Sequence, residues 1–200
     1  MRVLWDIDTQ NDFISGALPV PNADLLKQTW QHITQLALNH GIPIYGSVDA
    51  HNPGSPEFQK FPPHCIRGTY GQVKILETQI HNSVFVPDYA IDMKYLKEIA
   101  RRVKTGAING VYFEKDTIDV ASNANLRPLL EVQGVDEAVV YGIATDYCVK
   151  RGVLALLNLG IQVYLLEDAI MGVSPDSTRA AIEEMVVSGA KLIKTPAVLQ

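Results

Sequence analysis

Cys148 stands where a thiol is chemically useful. The apolar run Val139-Val140-Tyr141-Gly142-Ile143 breaks at Ala144 to Asp146 and opens a helical segment whose first turn carries the cysteine. Free backbone N–H groups and the positive end of a helix dipole favour thiolate over thiol there, which makes sulfur nucleophilic near neutral pH. The position equally suits a small apolar residue packed where strand meets helix, so companion residues must decide. Asp8 follows an apolar strand and precedes Gln10, Asn11 and Asp12. A carboxylate at the mouth of a sheet is either a base for a thiol or the cap of a turn. Asp6 and Asp12 are the rival carboxylates, and Asp6, one strand repeat before Asp8, is expected on the same face. Lys115, after Val111-Tyr112-Phe113, reads by itself as a solvated lysine at a strand end. Asp49, His51 and His64 add one carboxylate and two imidazoles, ligand types that bind zinc, iron or manganese and leave positions open. In an extended segment the first two point the same way, and His64 would fold back over them from a proline-rich loop. Taken singly, each histidine is an ordinary loop residue. His32, His40 and His81 fall on a helix face, a helix end and a loop, and carry no assigned role.

Positioning such groups requires a frame. Apolar runs of strand length alternate with segments of helical period, the signature of an α/β domain whose largely parallel sheet is covered on both faces. Strands are expected at Val3 to Ile7, Ile42 to Val48, Gly110 to Phe113, Ala138 to Ile143, Gln162 to Leu166 and Lys191 to Ile193. Leu25 to Leu38 has helical spacing and stops before Asn39-His40-Gly41, while Val149, Val153, Leu156 and Leu157 form one apolar stripe ending near Gly160. Ser174-Pro175-Asp176 starts a last helix that runs up to Gly189. Between His51 and Tyr70 four prolines and two glycines interrupt any apolar repeat. A structureless stretch this long inside a compact domain favours a binding role. The candidate residues all sit where strands end, which in an open α/β sheet is where a ligand finds room.

Bulk properties narrow the partners. At 47% hydrophobic, 200 residues fill one domain, residues 1–200, and not two. The formal charge of −5, read as free of like-charge runs and basic stripes, favours neither nucleic acid nor an anionic membrane surface and leaves small molecules as the expected ligands. Met1-Arg2 leads into a strand interrupted by Asp6 and Asp8, without the apolar core of a signal peptide, and no segment is long enough to span a bilayer. A cytoplasmic protein is expected, with Cys65 and Cys148 as free thiols.

Three segments together resemble the nicotinamidase and isochorismatase-like cysteine hydrolases: Asp8-Thr9-Gln10-Asn11-Asp12-Phe13 with Gly16-Ala17-Leu18-Pro19-Val20; Asp49-Ala50-His51 with Pro63-His64-Cys65; and Gly142-Ile143-Ala144-Thr145-Asp146-Tyr147-Cys148-Val149. Their order and spacing match over nearly the whole chain. The resemblance implies a three-layer α/β/α fold with a mainly parallel central sheet, and a catalytic triad of Asp8, Lys115 and Cys148. It implies an oxyanion hole from the backbone amides of Ala144 and Cys148, and a cis peptide between Ile143 and Ala144. It also implies a divalent metal, zinc first with iron or manganese as alternatives, on Asp49, His51 and His64. Asp12 matches as a structural residue, and relatives assemble, so a homo-oligomer is expected. The implied activity is hydrolysis of a small carboxamide such as nicotinamide to the acid and ammonia through a thioester on Cys148. The alternatives are an amidase for a carbamoyl or ureido compound and a noncatalytic binding protein of the same fold. Phe13 and Phe61 are expected to hold a flat ring. Ala50 and Phe61 stand where nicotinamidases usually carry tryptophan, and Ile118 to Ser122 lacks the aromatic associated with nicotinamide pockets.

Overall fold

Val-, Ile- and Tyr-rich runs buried on both faces leave a strand only one stable home, a parallel sheet between two helical layers. A computed structural model describes residues 1–198 and shows that arrangement. In chain order the elements are β1 (Arg2–Ile7), α1 (Asn11–Ile14), α2 (Lys27–Asn39), β2 (Ile44–Asp49), β3 (Ser83–Val86), α3 (Met93–Lys104), β4 (Gly110–Lys115), α4 (Leu126–Gln133), β5 (Glu137–Ile143), α5 (Lys150–Asn158), β6 (Gln162–Met171), α6 (Pro175–Val187) and β7 (Lys191–Ile193). The sheet order is β3-β4-β2-β1-β5-β6-β7, and every pair is parallel. Val3, Trp5 and Ile7 enter the core under α3, α4 and α5, whereas Leu4 enters the one under α1 and α2.

After β1 the chain builds outward on one side through β2 and β4, then returns to place β5 on the other side. The direction therefore reverses at β1, and the carboxyl ends of its neighbours open the crevice that such a reversal creates. Register sharpens the placement. Ile7 pairs with Ser47 and Gly142, and Asp49 pairs with Lys115. Gly142, at φ +126°, permits the close approach of β5 to β1, since a Cβ there would meet the Ile7 carbonyl oxygen at 2.1 Å.

Six strands lie where the sequence places them, with shifted ends. β2 starts at Ile44 because the Ile42 N–H still bonds to the Ala37 carbonyl of α2 and Pro43 has no N–H to give. β6 runs on to Met171. The four-residue edge strand β3 was not foreseen, and α3 and α4 were not located. α3 is strongly amphipathic, burying Leu96, Ile99, Ala100 and Val103. Its exposed side carries Lys94, Lys97, Arg101, Arg102 and Lys104, a local basic face that whole-chain charge conceals. Among the described residues no helix is long and apolar enough to cross a membrane.

Candidate active site

Asp8, Lys115 and Cys148 meet at the crevice although they come from three different strand ends. Lys115, the last residue of β4, is buried with its Nζ 2.8 Å from Asp8 Oδ2 and 3.5 Å from Cys148 Sγ. The same ammonium donates a hydrogen bond to Asp49 Oδ1. Asp8 leaves the strand conformation at φ +51°, a left-handed value that Asp tolerates better than most residues. That turn separates it from Asp6, which was expected on the same face and instead pairs with Lys74 and Thr9. Asp8 Oδ1 accepts from Ser47 Oγ at 2.7 Å. Oδ2 has the Lys115 charge beside it but, among the described residues, no aligned hydrogen-bond donor, so it keeps accepting capacity.

Cys148 does not sit in an ordinary first α-helical turn. Residues Thr145–Val149 form one π-helical turn, closed by the Val149 N–H on the Ala144 carbonyl at 3.1 Å, before α5 begins. The peptide between Ile143 and Ala144 is cis, as the resemblance implies. The helix end does not by itself make a thiolate. Burial, reinforced by the Asp8 and Asp49 charges, raises the thiol well above its ordinary value against the opposing pull of Lys115. Burial likewise raises Asp8, with Lys115 opposing and Asp49 assisting. Burial works against the Lys115 ammonium, yet Asp49 and Asp8 outweigh it and hold its pKa well above the usual lysine value. Burial thus favours the thiol form of Cys148 and the two carboxylates favour the ammonium form of Lys115, beside a carboxyl group with raised proton affinity.

Next to it, Asp49 Oδ2 lies 3.4 Å from His51 Nε2 and 3.5 Å from His64 Nε2. Each imidazole is oriented from behind. His51 Nδ1 contacts Asp116 Oδ1 at 2.6 Å, and His64 Nδ1 donates to the Pro62 carbonyl at 2.8 Å. Both Nε2 atoms are thus directed at one point, and His51 Nε2 is buried with no hydrogen-bond partner among the described residues. This donor set fits a divalent metal ion, since two bonds of about 2.1 Å at tetrahedral angles leave ligand atoms about 3.4 Å apart and the outer Nδ1 contacts are those of a metal-binding histidine. Burial would raise Asp49, but Lys115 and the two imidazoles hold its carboxyl far below the usual carboxylate range. The alternative grouping of Asp8, Asp49 and Cys148 already has the Lys115 ammonium at its centre, which disfavours a second cation.

Polar contacts from the first motif hold these segments together. Gln10 Nε2 donates to the Asp49 carbonyl at 2.8 Å, and Gln10 Oε1 accepts from the Asp49 N–H at 2.8 Å. Asp12 accepts from Ala17 N–H at 2.9 Å and from Cys65 N–H at 2.7 Å, so the structural role expected of it ties the turn after β1 to the loop carrying His64. Cys65, buried at φ +44°, does not line the cleft.

A cleft of about 260 Å³ opens over Cys148 and Ala144. Phe13, Phe61, Tyr147 and Ile118 form its apolar walls, and Asp49, Glu57 and His64 its polar end. Phe13 and Phe61 both pack against His64, with ring centres 5.3 Å and 6.3 Å from the imidazole. A larger hollow of about 480 Å³ lies against β4 and the segment from Gln72 to Phe85, with His81 in its lining but none of Cys148, His51 and His64. Chemistry therefore selects the smaller one. The structure adds Gln10, Glu57, Asp116 and Tyr147, which the sequence reading left without a role. Asp116 and Tyr147 adjoin Lys115 and Cys148 in sequence, and that adjacency was the available signal.

The chain matches the Isochorismatase domain family over residues 3–197 and belongs to it. It is 32% identical to the nicotinamidase/pyrazinamidase of Mycobacterium tuberculosis, over 96% of this chain and 98% of that protein. It is 31% identical to the nicotinamidase of Escherichia coli, over 96% and 93%. Among solved structures, the zinc complex of pyrazinamidase from Pyrococcus horikoshii superimposes with a TM-score of 0.77 at 25% identity, over 96% of this chain and 98% of that one.

Proposed function

We propose that this protein is a cysteine amidohydrolase that converts nicotinamide or a close heteroaromatic carboxamide to the acid and ammonia, the whole chain acting as one hydrolase domain. The observation that carries the reading is the Lys115 ammonium in contact with Asp8, Asp49 and Cys148 directly beneath an apolar cleft. In this reaction Asp8 takes the thiol proton as sulfur adds to the carboxamide carbon. The backbone amides of Ala144 and Cys148 hold the oxyanion. Asp8 then passes its proton to the departing nitrogen, the C–N bond breaks, and ammonia leaves a thioester on Cys148. Asp8 next accepts a proton from the attacking water, the C–S bond breaks, the thiol regains its proton and the acid departs. Lys115 stays protonated throughout, steadying the developing thiolate and orienting the Asp8 carboxylate.

Asp49, His51 and His64 would hold a divalent ion, zinc before iron or manganese. When bound, it supplies a Lewis acid for a ring nitrogen and so orients the substrate. Phe13 and Phe61 bracket the ring, and Tyr147 meets Phe61 edge-on with ring centres 5.7 Å apart at the mouth. Two free cysteines suit a reducing, cytoplasmic setting. The test is ammonia release from nicotinamide by zinc-loaded wild type, beside Cys148→Ala and a chelated sample. Release that is abolished in the variant and weakened by chelation supports the reading. A folded, zinc-loaded wild type that releases no ammonia from nicotinamide but cleaves a ureido compound would replace the substrate and keep the thioester.

A further inference from the structure

Under the turn that carries Asp8 lies a buried charged pair that the chemistry above does not use. Tyr112 of β4, Gly46 of β2, Asp6 of β1 and Tyr141 of β5 are successive register partners in one row across the sheet. Gly46 contributes no side chain, and a Cβ there would meet the Asp6 carbonyl oxygen at 1.9 Å. Lys74 reaches the Asp6 side of this gap from the segment that follows the proline-rich loop. Its Nζ lies 4.5 Å from the centre of the Tyr112 ring, 2.8 Å from Asp6 Oδ2 and 2.7 Å from Thr9 Oγ1. Thr9 Oγ1 in turn lies 2.9 Å from Asp6 Oδ1 and 2.7 Å from Thr78 Oγ1. Asp6 and Lys74 are 0% and 4% exposed. Burying such a pair gains little stability over apolar side chains of the same size, whereas a fully satisfied polar network fixes one arrangement of the segments that it joins.

The segments joined here are the turn after β1 and residues 72–75. Gln10 and Lys74 form an isolated antiparallel bridge. The Ile75 N–H donates to the Thr9 carbonyl at 3.0 Å, and the Asn11 N–H donates to the Val73 carbonyl at 2.9 Å. Gln10 Nε2 donates to the Gln72 carbonyl at 2.7 Å while the same side chain clamps both backbone groups of Asp49. Contact therefore runs from Lys74 to Asp8 through Thr9, and from Lys74 to Asp49 through Gln10.

We propose that Lys74, anchored on Asp6 and Thr9, is a positioning residue that locks the 72–75 segment against the turn after β1 and thereby sets both Asp8 and Asp49 against Lys115. The proposal rests on the function given above, so its test includes readouts that do not require nicotinamide turnover. Lys74→Met and Thr9→Val are compared with wild type at saturating zinc for kcat and KM, for the rate at which iodoacetamide alkylates Cys148 by mass spectrometry, and separately for zinc affinity against a chelating dye. Expected in both variants, at temperatures where they are folded, are a fall in kcat of about tenfold or more with KM unchanged, slower alkylation and weaker zinc binding, in line with losses when an outer partner of a site is removed. Thr9→Ser, which retains the hydroxyl, restores what Thr9→Val loses. A lower melting temperature with kcat, alkylation and zinc affinity unchanged makes the pair merely structural and overturns the proposal. If Lys74→Met does not fold, Thr9→Val, which removes a hydroxyl and no charge, decides on the same readouts. A wild type that never hydrolyses nicotinamide defeats the proposed function alone, because alkylation rate and zinc affinity still judge the positioning role.

Discussion

Asp8 carries a burden that its neighbours only partly relieve. Burial raises its pKa above the ordinary carboxylate value, despite the Lys115 ammonium 2.8 Å away. A group whose folded pKa exceeds its unfolded one favours folding below the unfolded value, and that contribution is lost as pH rises through the folded pKa. Asp8→Asn should therefore melt above wild type at neutral pH in chelated protein, with a margin that shrinks on acidification, while hydrolysis falls about 10²–10⁴-fold. A variant that melts below wild type at neutral pH would show that the carboxylate is a net stabiliser. At this scale the sequence is generous where a residue type implies its chemistry. Cys148, Asp8 and the Asp49-x-His51 pair stand out as candidates by type and strand-end placement, with bland alternatives for each, and the resemblance is what selects them and Lys115. Gln10 was not legible because its role depends on reaching backbone groups of Asp49 and Gln72, and sequence distance conceals such reach.

Among elements, the proline-rich loop folds on its own backbone bonds, such as His51 N–H to the Cys65 carbonyl and Arg67 N–H to the His51 carbonyl, and Asp12 ties it to the turn after β1. Gly16 and Gly71 leave room for that carboxylate, since a Cβ at either would approach its atoms to 2.2 Å and 2.0 Å. Asp12→Ala removes charge-assisted bonds to the Ala17 and Cys65 amides. It should lower stability by about 2 kcal/mol in urea titrations. It should also weaken zinc binding about tenfold in dye competition, because His64 loses its anchor one residue away. Unchanged zinc affinity would assign the loop's shape to other contacts. The strands most plainly readable from composition are those buried on both faces, such as β1, β4 and β5, although the exposed edge strand β7 was also expected. β3 was hidden because four residues at an edge, of which only Val86 is buried, are too few to show a periodicity. α3 has a clear 3-4 repeat at Leu96, Ile99, Ala100 and Val103, a signal the sequence carries and that suffices to place it. α4 is eight residues long with Pro128 in its first turn, where a missing N–H is harmless to the helix but misleading to a reader.

For the molecule as a whole, the decisive distance is that between β1 and β5, because Asp8 extends from one and Cys148 from the other. Gly142→Ala, placing a Cβ against the Ile7 carbonyl at positive φ, should cost about 2–3 kcal/mol and suppress hydrolysis even in the folded fraction. Urea titration combined with active-site alkylation checks both effects, and a variant with wild-type activity per folded molecule would mean that the two strands tolerate separation. The strand order, set against the order of the sequence, also determines which edge of the sheet is completed last during synthesis. Asp8, Asp49, His51, His64 and Lys115 all emerge before Cys148, and until β5 docks, β1 is an edge strand of a half-built sheet with Trp5 and Ile7 uncovered on one side. An edge of that kind invites pairing with another nascent chain. The segment that closes it is the one that ends in the thiol, so protection from aggregation and the acquisition of reactivity are installed in a single step of synthesis.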